Sequence, residues 1–182
     1  MNLPRGKPLK QGIDLATVNF KSLVKEIKSK NITGYLAIAL KGNGGIEEGT
    51  IIFDNGKIVG CAYEYYKHEK TFMGKEAFPR VLNAIAAKQG VIDVYTLELE
   101  QVHLIFVVNE GMIFTPEENA IEKIKVESFS PLFEEELKNT AQKKTKEDVL
   151  SKYKMGEIGV TTKKEDVFAK ISKNIEKDAT QK

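Results

Sequence analysis

Gly49-Thr50-Ile51-Ile52-Phe53-Asp54-Asn55-Gly56-Lys57-Ile58-Val59-Gly60-Cys61-Ala62-Tyr63 is the stretch on which the fold turns. Two apolar runs flank Asn55-Gly56. Both turn residues tolerate positive φ, which a two-residue hairpin of type I′ requires. The spacing predicts an antiparallel hairpin with Phe53 opposite Ile58 and Ile51 opposite Gly60. Gly60 has no side chain, so a neighbour can approach the sheet closely there.

Working back towards the N-terminus, Tyr35, Ala37 and Ala39 alternate with Leu36, Ile38 and Leu40 in an unbroken run. That predicts a strand buried on both faces. Lys41 to Glu48 is glycine-rich and reads as a flexible loop between strands. Phe20, Leu23, Val24 and Ile27 recur every three or four residues, which predicts an amphipathic helix from about Asn19 to Ser29, ended by Asn31 and Gly34. Residues 7–16 show no clear period and are expected to form a short edge strand.

Working forward, residues 64–73 are polar and aromatic and read as a loop. Ala77, Phe78, Val81, Leu82, Ile85 and Ala86 form a wide apolar stripe, so a helix is expected from about Gly74 to Lys88, with Pro79 in its first turn or at a kink. Gly90 stops it, and Val91 to Thr96 reads as a further strand. Leu97 to Asn109 fits either element. A helix is favoured because Glu98 and Glu100 suit a helix N-terminus. The sum is an α+β domain, a small antiparallel sheet with packed helices.

The charge distribution sets the boundary. The 182 residues carry a net charge of +2 with 30% charged and 41% hydrophobic residues. Residues 1–133 hold 16 basic and 16 acidic residues; residues 134–182 hold 12 lysines and 10 acids. The core domain is therefore expected to span 1–133, and 134–182 to form a charged helical tail. The tail repeats itself: Lys146-Glu147-Asp148-Val149-Leu150-Ser151-Lys152-Tyr153 is echoed by Lys164-Glu165-Asp166-Val167-Phe168-Ala169-Lys170-Ile171. Each copy follows a threonine cap (Thr145 and Thr162) with an acid three residues on. Each places an apolar triplet on one helical face: Val149, Leu150 and Tyr153, then Val167, Phe168 and Ile171. Helices this short are marginal alone, so these six residues are the candidate partner-binding residues.

The composition supplies little chemistry. One cysteine excludes a disulfide framework, and two histidines leave too few ligands for zinc. Cys61 reads as a packed side chain, and His103 as part of a partly buried face. The acid runs Glu47-Glu48 and Glu134-Glu135-Glu136 read as solvated surface. The loop from Lys41 to Gly49 lacks the Gly-Lys-Ser/Thr and following helix of a phosphate cradle. No catalytic, metal or cofactor site is expected. Tyr65, Tyr66, Lys67 and Lys70 could stack on bases and touch phosphates, which makes them the candidate RNA-contacting residues. The N-terminus lacks an apolar leader, and no run approaches the ~20 apolar residues of a membrane span, so a cytoplasmic protein without a membrane contact is expected.

Ile32-Thr33-Gly34-Tyr35-Leu36-Ala37-Ile38, then Gly49 to Val59, then Gly74-Lys75-Glu76-Ala77-Phe78, resembles the N-terminal domain of PatA-type response regulators, and in particular archaeal proteins of unassigned function built on that domain. The shared pattern is a strand opening with T-G, a hairpin reading G-x-I-x-F-x-N-G-x-I, and a helix opening with G-x-E-A. It covers about residues 19–98. The polar loop 64–71 and Pro79 depart from it. The resemblance implies a signalling or adaptor module without known catalysis. The expected function is thus a non-enzymatic adaptor that self-associates as a homodimer and docks a protein partner through its tail. The alternative is a dimeric ribosome- or RNA-associated factor that bridges or blocks subunits.

Overall fold

The computed structural model describes residues 1–117, 120–121 and 128–137. These residues belong to a unit that ends at Leu137, close to the boundary drawn from charge. The tail residues Val149, Leu150, Tyr153, Val167, Phe168 and Ile171 lie outside the described residues.

The chain runs β1 (Lys7–Asp14), α1 (Phe20–Ser29), β2 (Gly34–Lys41), β3 (Ile46–Asp54), β4 (Lys57–Tyr65), β5 (Lys70–Met73), α2 (Ala77–Ala84), β6 (Gly90–Thr96) and α3 (Leu99–Val108). The six strands form one antiparallel sheet in the order β1-β6-β2-β3-β4-β5. The α+β class is as expected. Alternation along the strands sends Leu36, Ile38, Ile51, Phe53, Ile92 and Val94 to one face, with the apolar stripes of α1 and α2. Tyr35, Ile52, Ala62 and Leu97 go to the other, under Val102 and Ile105 of α3. The sheet therefore lies between helices on both faces.

α1 starts where its sequence says. The Asn19 side chain accepts a hydrogen bond from the Ser22 N–H at 3.0 Å, and Phe20, Leu23, Val24 and Ile27 are all buried. The β3–β4 hairpin forms with Asn55 at φ 46° and Gly56 at φ 75°. Phe53 pairs with Ile58 as predicted, but Ile51 pairs with Cys61 and Ile52 with Gly60. Val59 is an extra residue, a bulge that shifts the register by one. The cause lies outside the hairpin. Phe114 N–H donates to the Val59 carbonyl at 3.0 Å, and the Phe106 ring and the Met112 carbonyl press on Gly60, where an added Cβ would meet them at 2.7 and 2.9 Å.

The T-G and N-G motifs prove to be one unit. The Thr33 hydroxyl accepts the Asn55 N–H at 3.0 Å, and the Thr33 carbonyl accepts the Leu97 N–H at 3.0 Å. One residue thus ties the hairpin tip to the start of β2 and the end of β6.

Three local expectations change. Residues 64–73 are not a loop: Tyr65 ends β4, Tyr66–His68 form a 3-10 turn, and Lys70–Met73 form the edge strand β5. The Tyr65 and Phe72 rings meet edge to face at 6.0 Å, which supplies the apolar contact that the polar run concealed. The helix expected over 74–88 is a 3-10 turn over Gly74–Glu76 followed by α2. Pro79 is its third residue, where a missing N–H costs nothing. Beyond Ala84 the chain tightens into three-residue turns, Ala86 to Asn83 and Ala87 to Ala84. Third, the loop expected over Lys41 to Glu48 is shorter, because β2 runs to Lys41 and β3 starts at Ile46. The expected strand β6 sits inside the sheet between β1 and β2.

Leu97 to Asn109 resolves as the helix α3. Glu98 caps it through a reciprocal capping box with Gln101. His103 is exposed on α3 rather than partly buried. Among the described residues, no helix is long and apolar enough to cross a membrane.

Candidate functional site

α3 reads LEQVHLIFVV, with Glu100, Gln101 and His103 in its first half and five apolar residues, Leu104 to Val108, in its second. An apolar run of that kind is expected to be covered, yet only Val102 and Ile105 of α3 are buried against the sheet. Leu104, Val107 and Val108 are 55%, 73% and 62% exposed. Their spacing of three and four sets them side by side in one outward stripe. Ile113, just past the Glu110–Met112 turn, is also exposed. Glu98, Glu100 and Glu110 are exposed around this stretch. No lysine or arginine occurs between Lys88 and Lys123. The face is an apolar stripe beside the exposed His103, with acids at its rim.

The sheet edges contrast with it. β1 carries Lys7, Pro8 and Lys10 and two register shifts against β6; β5 is four residues long. Both are defended against pairing with another strand.

The sheet face that carries α1 and α2 holds a polar centre that the acid runs did not announce. Glu47 and Glu134, expected on solvated surface, are each only 3% exposed. The Tyr63 hydroxyl donates to Glu47 at 2.6 Å, and His68 Nε2 lies 3.1 Å from Glu134. The glycine loop closes over both carboxylates: a Cβ at Gly42 would fall 1.7 Å from a Glu47 oxygen, and one at Gly44 1.7 Å from a Glu134 oxygen. The loop is therefore a tight cover, not a free connection. The Arg80 guanidinium stacks 3.7 Å over Phe72 and 4.9 Å from the Phe133 ring centre. Asn83 and Ser130 exchange two hydrogen bonds, of 2.9 and 2.8 Å. Together these contacts clamp the segment 128–137, including a helical turn over 132–137, onto the core. Both carboxylates are engaged by neighbouring side chains, Glu47 by Tyr63 and Glu134 by His68.

Burial raises the Glu47 pKa, and the Tyr63 hydrogen bond offsets part of that rise. The sign follows. A carboxyl with a raised folded pKa binds its proton more tightly when folded. It destabilises progressively as pH rises from the unfolded value of about 4.3 through the folded one. Glu47→Gln keeps an acceptor for Tyr63 and removes the charge. Its stability relative to the parent should rise from pH 4 to pH 7 in urea titrations; a pH-independent difference would contradict the assignment.

The sequence-derived candidates are scattered. Tyr65 is buried beside Arg80, so its ring is not available to a base, and burial raises its pKa. Tyr66 is 47% exposed and donates its hydroxyl to Glu48, which raises its pKa to about 12. Lys67 and Lys70 are exposed. Cys61 is fully buried, with its thiol 2.9 Å from the Gly74 carbonyl. Desolvation pushes its pKa to about 12, which keeps it a neutral thiol. Among the described residues no group of three His, Cys, Asp or Glu could hold a metal ion. The signal for the α3 face was present in the sequence, as the unbroken apolar run Leu104 to Val108.

Residues 1–109 match a family model described as an uncharacterized protein conserved in archaea. The match takes in every strand and ends with α3. An uncharacterized protein of Archaeoglobus fulgidus is 29% identical over 98 residues, covering 54% of this chain and 37% of its own length. The chain thus spans little more than a third of that relative. No solved structure matches.

Proposed function

The chain belongs to the family of uncharacterized proteins conserved in archaea (DUF2226), and from that premise we propose that it is a non-enzymatic adaptor that self-associates through α3. The exposed stripe Leu104, Val107 and Val108 carries this reading. A second copy is the occupant that an uncharged, self-similar stripe fits. A two-fold axis across Leu104 and Val108 puts apolar on apolar and leaves the acids at the rim. The guarded strand edges direct association to the helix. The likeness to PatA-type N-terminal domains, carried by the T-G and N-G motifs, fits a signalling module of this kind. A cytoplasmic location is part of the proposal.

Light scattering at micromolar concentration should return twice the chain mass, and added salt should hold or tighten the dimer by screening the acidic rim. A monomer throughout that range would end the self-association claim.

The tail's K-E-D-V repeat adds a second contact in this reading. Its apolar triplets would dock a protein partner. Leu150→Ala with Phe168→Ala should reduce capture of that partner in a native pulldown at least ten-fold; unchanged capture would remove the tail from the function. Of the four candidate residues of the ribosome or RNA alternative in the described part of the chain, Tyr66, Lys67 and Lys70 are accessible. That alternative predicts co-sedimentation with ribosomes that falls steeply with salt, the opposite sign to the dimer.

A further inference from the structure

Segment 128–137 meets the rest of the domain as a peptide meets a receptor. It adds no strand to the six-stranded sheet. Single side chains hold it instead. The Asn83 amide donates to the Ser130 carbonyl and accepts the Ser130 N–H, so it reads main chain and no side chain. Three residues on, the Phe133 ring meets the Arg80 guanidinium, which also lies over Phe72. On the next residue, the Glu134 carboxylate lies 3.1 Å from His68 Nε2 and against Gly44. Phe129, Phe133 and Leu137 are partly buried against the core.

The receptor side and its occupant are separable in sequence. His68, Phe72, Arg80 and Asn83 all fall within residues 1–109, which match the archaeal family, and the segment that they hold falls beyond the match. The fit is also incomplete at one atom. Arg80 Nη1 donates to the Glu76 carbonyl at 2.6 Å, but Nη2 is 3.8 Å from the Glu136 carboxylate, and Nε is buried without a hydrogen-bond partner. Nε and Nη2 form one edge of the guanidinium, an edge that can grip a carboxylate through two parallel bonds. The segment in place leaves that grip unmade.

We propose that this recess docks a short segment of a partner protein, an aromatic residue followed by acids on one turn of helix, and that 128–137 occupies it in cis until such a segment displaces it. The recess asks for a main-chain amide at Asn83, an aromatic three residues later at Arg80 and Phe72, a carboxylate on the next residue at His68, and a further acid that completes the Arg80 grip. The site is independent of self-association through α3.

The test titrates the full chain with a fluorescein-labelled peptide of residues 128–137, Ser-Phe-Ser-Pro-Leu-Phe-Glu-Glu-Glu-Leu. A tethered segment competes at an effective concentration of about millimolar, so the parent should bind the free peptide weakly. A chain carrying Phe133→Ala and Glu134→Gln should bind one peptide at least ten-fold more tightly than the parent, because its own segment no longer competes. A peptide with the same two substitutions should bind at least ten-fold more weakly than the natural one. Adding Asn83→Ala to the loosened chain should lower its affinity for the natural peptide about ten-fold at unchanged circular dichroism, through the two lost main-chain bonds. The parent needs no substitution to fold, and at millimolar peptide it should prefer the natural sequence to the altered one, which decides the case in which the loosened chain unfolds. No saturable binding, equal binding of the two peptides, or equal binding by the Asn83→Ala chain would each overturn the proposal. A Val107→Asp chain that stays dimeric until Phe133→Ala and Glu134→Gln are added would also overturn it, since the occupant would then be the segment of a second copy.

Discussion

A Val107→Asp chain is expected to run as a monomer at concentrations where the parent runs as a dimer. Among the described residues Val107 is the most exposed of the large apolar side chains, at 73%, so the protomer does not need it for folding. In the proposed dimer it lies in the apolar centre, where α3 offers an aspartate no lysine or arginine; His103, four residues earlier on the same side of the helix, is the basic side chain of that face. The rim residues Glu98, Glu100 and Glu110 are all acids. An uncompensated buried charge costs about 3–5 kcal/mol, which is roughly a hundred-fold or more in dissociation constant. Val107→Ala should weaken the dimer by a smaller step of about ten-fold, because it trims contact without stranding a charge. The melting temperature of the isolated protomer should not move. A dimer that survives Val107→Asp places the interface elsewhere.

Gly34→Ala is expected to be the most damaging single substitution for stability. Gly34 opens the central strand β2, paired with Phe53 on one side and Thr96 on the other, at φ 152°. An added Cβ would fall 2.0 Å from the Tyr95 carbonyl oxygen and 2.8 Å from the Thr96 Cα. Both obstacles are backbone in a neighbouring strand, so neither can swing aside. The sheet must open there, against the neighbouring bond from Leu97 to Thr33. Strain of this kind belongs to the tail of measured effects, about 3–5 kcal/mol. In a fold of this size that is a fall of roughly 10–20 °C in Tm. A urea midpoint within 1 kcal/mol of the parent would show that β2 can slide away from β6. The substitution also tests the meaning of the T-G motif, which the structure explains by this close approach and by the Thr33 bridge.

The sequence was most legible where local chemistry decides. Asn55-Gly56 marks its hairpin because both conformations are properties of the two residues. Asn19 and the stripe behind it mark α1 for the same reason. What escaped depends on distant partners. The bulge at Val59 arises because α3 and the chain after it press on Gly60, and no residue of the hairpin reports that. Glu134 looks like one of three solvated acids until His68, 66 residues earlier, is placed beside it. Glu47 looks equally solvated until the Tyr63 hydroxyl reaches it diagonally across the β3–β4 ladder. β5 was hidden because Phe72 is a single aromatic in a polar run, and its reason for being a strand is the Tyr65 ring. For α3, the ambiguity between helix and strand was itself informative. Its last five residues, Leu104 to Val108, have no polar side, which fits neither a surface helix nor a surface strand and marks a surface that needs covering.

The place of β1 in the sheet has a consequence for the order in which the chain is made. β1 precedes the other described strands in the chain, but its neighbour in the sheet is β6, and the pairs between them lie 77 to 89 residues apart, as Asp14 with Val91 and Lys7 with Thr96. Strands β2 to β5 can close on one another as successive hairpins while β1 still waits for its partner. For that interval it is an unpaired extended segment attached to a growing chain, the state in which strands most readily join a wrong neighbour. The lysines, Pro8 and irregular register that keep the finished edge solitary thus protect the nascent segment first.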